Sequence, residues 1–170
     1  MTVRWIVIGL FALSGCGGPP TAVAHITGTS PGSKLSGTAI AVRAGSGVHV
    51  IVTVMNAPPG THGFHIHETG NCGEGGKAAG GHFNPEKASH GFLPRDGFSR
   101  AHAGDLGNLT VDSNGRGHLE LTVQGLTVGD DGPHDILGRA IIMHEKMDDF
   151  GQPTGNAGGR IGCGVITKRL

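Results

Sequence analysis

Hydrophobic positions along this chain recur with a period of two. The clearest run is Gly47–Met55, where Val48, Val50, Val52 and Val54 alternate with His49, Ile51, Thr53 and Met55. Successive side chains of a strand leave opposite faces, so this is the pattern of a half-buried strand. Gly45-Ser46-Gly47 ahead of it reads as a hairpin turn. Shorter runs of the same kind lie at Ala22–Thr27, Leu35–Arg43, Gly63–Glu68, Leu109–Asp112, His118–Val123, Gly138–His144 and Arg160–Thr167. Clusters of turn residues separate them: Gly28–Gly32, Ala57-Pro58-Pro59-Gly60, Ser113-Asn114-Gly115 and Gly129–His134. No stretch holds a convincing helical period. The pattern therefore predicts an all-β domain of eight strands, a Greek-key β-sandwich or flattened barrel.

Two stretches break the alternation. Thr69 to about Arg100 and Glu145–Gly159 are rich in Gly and have no apolar face. The first is longer than a structureless loop in a compact domain should be, so both are expected to be functional loops ordered by something other than hydrophobic burial.

Composition agrees with short strands and many turns: 33 Gly, 9 Pro and only 15% charged residues in 170. That length fits one domain with one core, and no internal repeat is visible. A formal net charge of zero removes the electrostatic case for nucleic acid or for an anionic membrane surface.

The N-terminus is of another kind. MTVR is basic, Trp5–Leu13 is apolar but too short to span a bilayer, and small residues follow. Leu13-Ser14-Gly15-Cys16 resembles the lipobox of bacterial lipoprotein signals, which implies residues 1–15 as a signal peptide and a lipid on Cys16. Residues 16–21 would then be a tether and 22–170 the domain. The competing reading is an ordinary secretory signal with a coincidental Cys. On either, the mature chain works outside the cytoplasm, anchored by lipid at the cell surface or in the periplasm on the first. With Cys16 lipidated, Cys72 and Cys163 remain as a pair that an oxidising compartment lets close. Two free buried thiols are the alternative.

The 11 His are the anomaly. His65 and His67 are i and i+2 on one strand, so both leave the same face and can meet one ion. His144, ending another strand, supplies a third nitrogen if the two strands face each other, and an all-imidazole set suits copper. His82, His90, His102 and Asp105 in and after the first loop supply three nitrogens and a carboxylate oxygen, the donor set of a closed tetrahedral zinc site. His25, His49, His118 and His134 read as ordinary strand or surface residues, and His62 as structural.

Taken together, GFHIHETGNC, GGHFNP, SHG, AHAGDL, HEKMDD and GNAGGRIGCGVI resemble the copper/zinc superoxide dismutase family, from about Gly37 to the C-terminus. The resemblance implies His65, His67, His82 and His144 as copper ligands. It implies His82, His90, His102 and Asp105 as zinc ligands, His82 being shared. Arg160 corresponds to the arginine that guides the anion at the open copper position, and Asp148 to the carboxylate joining His65 to His90. The implied activity is disproportionation of superoxide to dioxygen and hydrogen peroxide. A non-catalytic lipoprotein that buffers or delivers copper and zinc is the alternative; a zinc hydrolase would need an open zinc position. The oligomeric state, monomer or homodimer, is left open. Asp149–Gly159 is shorter than in much of the family and carries no lysine, so steering is expected to rest mainly on Arg160, with help from Lys146.

Overall fold

A computed structural model describes residues 21–169. The expected signal peptide, the lipidated Cys16 and the tether up to residue 20 lie outside the described residues. Thr21, counted above with the tether, opens the first strand.

Among the described residues nine strands make one sheet: β1 Thr21–Gly28, β2 Ser36–Ala44, β3 Gly47–Met55, β4 Gly60–His67, β5 Asp105–Val111, β6 Gly117–Gln124, β7 Ala140–His144, β8 Arg160–Val165 and β9 Thr167–Lys168. Their order is β2-β3-β6-β5-β4-β7-β8-β1-β9, and a further β2–β1 pairing closes the ring. Every strand pairing is antiparallel. The result is an eight-stranded Greek-key barrel, with the two-residue β9 as a short coda on β1. Closure gives each of the eight main strands a partner on both sides, through one residue pair between β5 and β6 and two between β1 and β8.

The alternation works as the sequence demands. Val48, Val50, Val52 and Val54 point inward with at most 1% exposure, while Met55 on the other face is 55% exposed. Ala22, Ala24, Ile26, Ala39 and Ala41 line the same interior, with Phe64 and Ile66 of β4, Leu109 of β5 and Ile141 and Met143 of β7. Each fully buried aliphatic or aromatic side chain there contributes about 1.5–3 kcal/mol relative to exposure.

Several strand ends differ from the sequence pattern. β4 starts at Gly60 and β5 at Asp105, because pairing with a neighbour extends strands past the point where alternation is visible. The final run is cut at Ile166, which turns into the core. The first loop also holds helical turns that the pattern did not predict: a 3₁₀ segment Glu74–Ala79, and one turn, α1 (Leu93–Asp96), started by Pro94. Both are too short to carry a periodic signature.

The long loops, residues 68–104 and 145–159, both leave the β5-β4-β7-β8 half of the barrel and cover its outer face. Ala79 packs there on Ala140, Ile142 and Cys163. The Cys72–Cys163 disulfide, with Cα atoms 5.7 Å apart, ties the first loop to β8 across 91 residues. On the chain-entropy model, which is disputed, a loop of that size stabilises the fold by about 4–5 kcal/mol.

Candidate metal centre

Strand periodicity positions the first donors. Phe64 and Ile66 of β4 point into the core, so His65 and His67 point outward, beneath the loops, with 0% and 1% exposure. His65 pairs with Ile142 of β7 and His67 with Ala140. A register shift between Met143 and His144 bends the end of β7, where His144 pairs with Arg160 of β8. Bulges of this kind re-aim side chains. The His67 and His144 Nε2 atoms end up 3.4 Å apart. The first loop returns His82 to β4 through an isolated bridge with His67. Gly104 makes the return close: a Cβ there would run into the Ile66 carbonyl.

Two groups of four donors result, and both contain His82. One is His65, His67, His82 and His144; the other is His82, His90, His102 and Asp105. All are buried. In the second, Asp105 Oδ1 lies 2.8 Å from His82 Nδ1 and 3.1 Å from His102 Nδ1, and Oδ2 lies 3.0 Å from His90 Nδ1. His82 Nδ1 and His102 Nδ1 are 3.3 Å apart. Donors about 3.3 Å from one another are what a tetrahedron of ligands about 2.0–2.1 Å from an ion requires.

Hydrogen bonds on the far side of each ring set which nitrogen is free. His67 Nδ1–H donates to the Gly80 carbonyl at 3.0 Å and His144 Nδ1–H to the Gly158 carbonyl at 3.3 Å, so both Nε2 lone pairs face the first group. His65 Nε2–H donates to Asp148 Oδ2 at 2.8 Å, and its Nδ1 is buried with no hydrogen-bond partner. His90 repeats the arrangement: Nε2–H reaches both Asp148 oxygens at 2.9 and 3.0 Å, while Nδ1, though near Asp105, has no hydrogen bond to it. Two orphaned nitrogens and two lone pairs held face to face are costly in a dry interior unless a cation receives them. The donor chemistry fits copper at the all-nitrogen group and zinc at the mixed one.

Ionisation follows from burial. Desolvation, with neighbouring imidazoles adding, pulls His67 down to about 2, His82 to about 4 and His144 to about 3, so their lone pairs are open at neutral pH. Burial acts the same way on His90 but is outweighed by the adjoining Asp105 and Asp148 carboxylates, which raise it to about 9. For both carboxylates burial pushes upward, and the histidine hydrogen bonds overcome it to hold Asp105 and Asp148 ionised.

Beside the first group lies a cavity of ≈ 190 Å³ lined by His67, His82, His144, Thr154 and Arg160 among others. It has room for a small anion and a few waters. Arg160 is pinned at its wall: Nη1 donates to the Gly76 carbonyl and Nη2 to the Gly80 carbonyl, each at 2.6 Å.

The structure thus brings together every residue singled out from the histidine spacing, with Asp148 and Arg160. His49 and His118 instead flank Glu120 on the outer sheet face, and His134 stacks on Phe98 at 3.8 Å. His62 sits between two carbonyls, with Nδ1 facing that of His144 and Nε2 that of Pro58, both at 2.9 Å. Sequence reasoning passed over Asn108, whose amide exchanges two hydrogen bonds with the Asp148 main chain, and over Gln152, which does the same for His90. Neither amide carries a local signal, since each meets its partner only in the folded chain.

Residues 35–166 match the family model for copper/zinc superoxide dismutase. An extracellular copper–zinc superoxide dismutase of Haemonchus contortus is 41% identical over 148 residues, 83% of this chain and 78% of that protein. Its counterpart in Caenorhabditis elegans is 41% identical over 141 residues, 79% of this chain and 62% of that protein. Among solved structures, that of the clock protein EA4 superposes with a TM-score of 0.77 at 39% identity, covering 88% of this chain and 94% of the other. Fold, donor set and sequence agree: the chain belongs to the copper/zinc superoxide dismutase family, with copper and zinc as its cofactors.

Proposed function

We propose that this protein converts two superoxide anions and two protons into one dioxygen and one hydrogen peroxide. The observation that carries the reading is the sharing of His82 between two buried donor groups, beside a small cavity bordered by Arg160. His65 through Nδ1, His67 and His144 through Nε2, and His82 would hold copper. His82, His90 and His102 through Nδ1, with Asp105, would hold zinc. When bound, copper would supply a one-electron couple for superoxide and zinc a fixed positive charge.

The chain's own groups do the rest. Arg160 draws a small anion into the cavity, its carbonyl contacts leaving Nε–H and one Nη2–H for charge-assisted hydrogen bonds. Asp148 orients the His65 and His90 rings at once. With Nδ1 of His82 held on the Asp105 side, its Nε2 is the atom that takes up a proton and hands it to the departing peroxide. Steering rests mainly on Arg160, with some help from Lys146, in place of a longer charged loop.

Purified protein loaded with both ions is expected to accelerate superoxide decay followed by pulse radiolysis. Decay unchanged while both metals are retained would leave the metal-buffering alternative standing. Arg160→Ala should lower the second-order rate by about tenfold or more with metal content unchanged; loss of copper instead would reassign Arg160 to ligand support.

The mature protein acts outside the cytoplasm, held to a bacterial membrane by lipid on Cys16. The closed Cys72–Cys163 bridge and the word extracellular in the relatives' names support the location outside the cytoplasm, and the Leu13–Cys16 motif alone supports the anchor. Cys16→Ser should move the protein from the membrane to the soluble fraction; unchanged membrane retention would remove the anchor.

A further inference from the structure

The short loop between β7 and β8 holds a residue whose role no spacing rule suggests. Gln152 reaches across to His90 and meets both polar groups of its main chain: Oε1 accepts from the His90 N–H at 3.0 Å, and Nε2 donates to the His90 carbonyl at 2.9 Å. His90 lies outside every strand and helix. Among the described residues no backbone hydrogen bond reaches it, and the residue is 4% exposed. A buried main chain without a ladder needs partners from elsewhere, and one glutamine side chain supplies both.

The turn presenting Gln152 is braced from within. Asp149 N–H donates to the Gly155 carbonyl and Gly155 N–H to the Gly151 carbonyl, while Asn156 Nδ2 donates to the Asp149 carboxylate. Gly155, at φ 76°, lies against Asp148 and His90 so closely that a Cβ would strike both side chains. Phe150 adds a second hold: its ring lies 6.4 Å from the His90 ring at 21°, and the Arg95 guanidinium sits 5.8 Å above it. Asp148 and Asp105 flank the His90 ring and Asp105 Oδ2 accepts from the Gly91 N–H at 2.9 Å, which leaves the His90 N–H and carbonyl themselves to Gln152.

We infer that Gln152 is a positioning residue for the zinc site, clasping the His90 main chain so that Nδ1 stays where the other three donors converge. The inference rests on the reading of His90 as a zinc ligand. It is selective by construction, because among the described residues the Gln152 side chain hydrogen-bonds to His90 of the mixed donor group and to no residue that belongs only to the all-imidazole group.

The test uses the full chain loaded with copper and zinc, and measures release of each metal to a chelator. It also records the visible spectrum with cobalt(II) in the zinc position, which reports ligand geometry directly. Gln152→Ala should release zinc about tenfold faster, equivalent to about 1.4 kcal/mol, with copper release within about twofold of wild type and the cobalt band shifted. Gln152→Glu, which keeps the acceptor for the His90 N–H and loses the donor, should fall between. Unchanged zinc release and an unchanged cobalt band overturn the proposal, as does equal acceleration of both metals, the mark of general loosening. His90→Ala serves as the control. If it holds zinc as wild type does, the ligand assignment fails, and the clasp with it, an outcome distinct from failure of Gln152 alone.

Discussion

The two halves of the barrel are built from the same kind of strand and treat their histidines in opposite ways. On the β3–β6 face, His49 and His118 point outward and share Glu120 as a solvent-accessible partner, His49 Nε2 at 3.0 Å and His118 Nε2 at 3.5 Å. On the β4–β7 face, His65, His67 and His144 also point outward, yet all are buried. The difference is cover. Residues 68–104 and 145–159 fold over the second face, exclude water and add His82, His90, His102 and Asp148, beside Asp105 at the start of β5. An outward histidine becomes a ligand when loops dry its surroundings and turn its free nitrogen toward others; without that it remains a weakly paired surface group.

The sharpest way to break this contrast is His82→Ala. It removes a donor from both groups, so superoxide-consuming activity should fall by at least about 100-fold and zinc affinity should drop as well, measured by decay kinetics and metal analysis. Full zinc content with full turnover would end the idea of a shared ring. Next in size is Asp148→Asn, which touches no metal in this reading but orients His65 and His90 together. Copper and zinc affinity are both expected to fall by about 10–100-fold; an effect confined to one metal would show that the carboxylate serves only one ring.

Acidity separates the halves in another way. His67, His82 and His144 sit at about 2, 4 and 3 in the fold against 6.5 for the free side chain. A depressed folded value means that the unfolded chain binds the proton more tightly. The stability contributed by these neutral rings is therefore complete above about pH 6.5 and drains away as pH falls below it. His90, raised to about 9, has the opposite sign: its contribution is complete below about pH 6.5 and is lost as pH rises through 9. Thermal midpoints of chelator-stripped protein across a pH series should thus decline on both sides, and a flat acid limb would refute the buried-ring account. The smallest effect expected is that of His49→Ala, a change within about 0.5 kcal/mol in denaturant unfolding with activity intact, as for surface positions generally. A larger loss would mean that the open face matters to the site after all.

Much of this contrast is legible in the amino-acid sequence. Val48 to Val54 alternate so regularly that the inward face of β3 can be named, because side-chain direction in a strand depends only on neighbouring residues. His65 and His67 can be placed together on the same ground. The helical turns at Glu74–Ala79 and Leu93–Asp96 cannot, being shorter than the period that would reveal them. Nor can Asn108 and Gln152, amides without charge or motif whose partners lie 40 and 62 residues away.

By itself, then, the order of residues determined the strand pattern, the candidate donors among the histidines and Asp105, and Cys72 and Cys163 as a candidate pair. All of these are properties of residue type and short spacing. Only the tertiary structure decided which outward histidines are dry, that the two donor groups meet at the His82 ring, and that Arg160 is held at the cavity wall by the Gly76 and Gly80 carbonyls. Those outcomes depend on segments far apart in the chain meeting at distances of about 3 Å, and such a meeting is specified by the packing of the whole barrel, which no local stretch encodes.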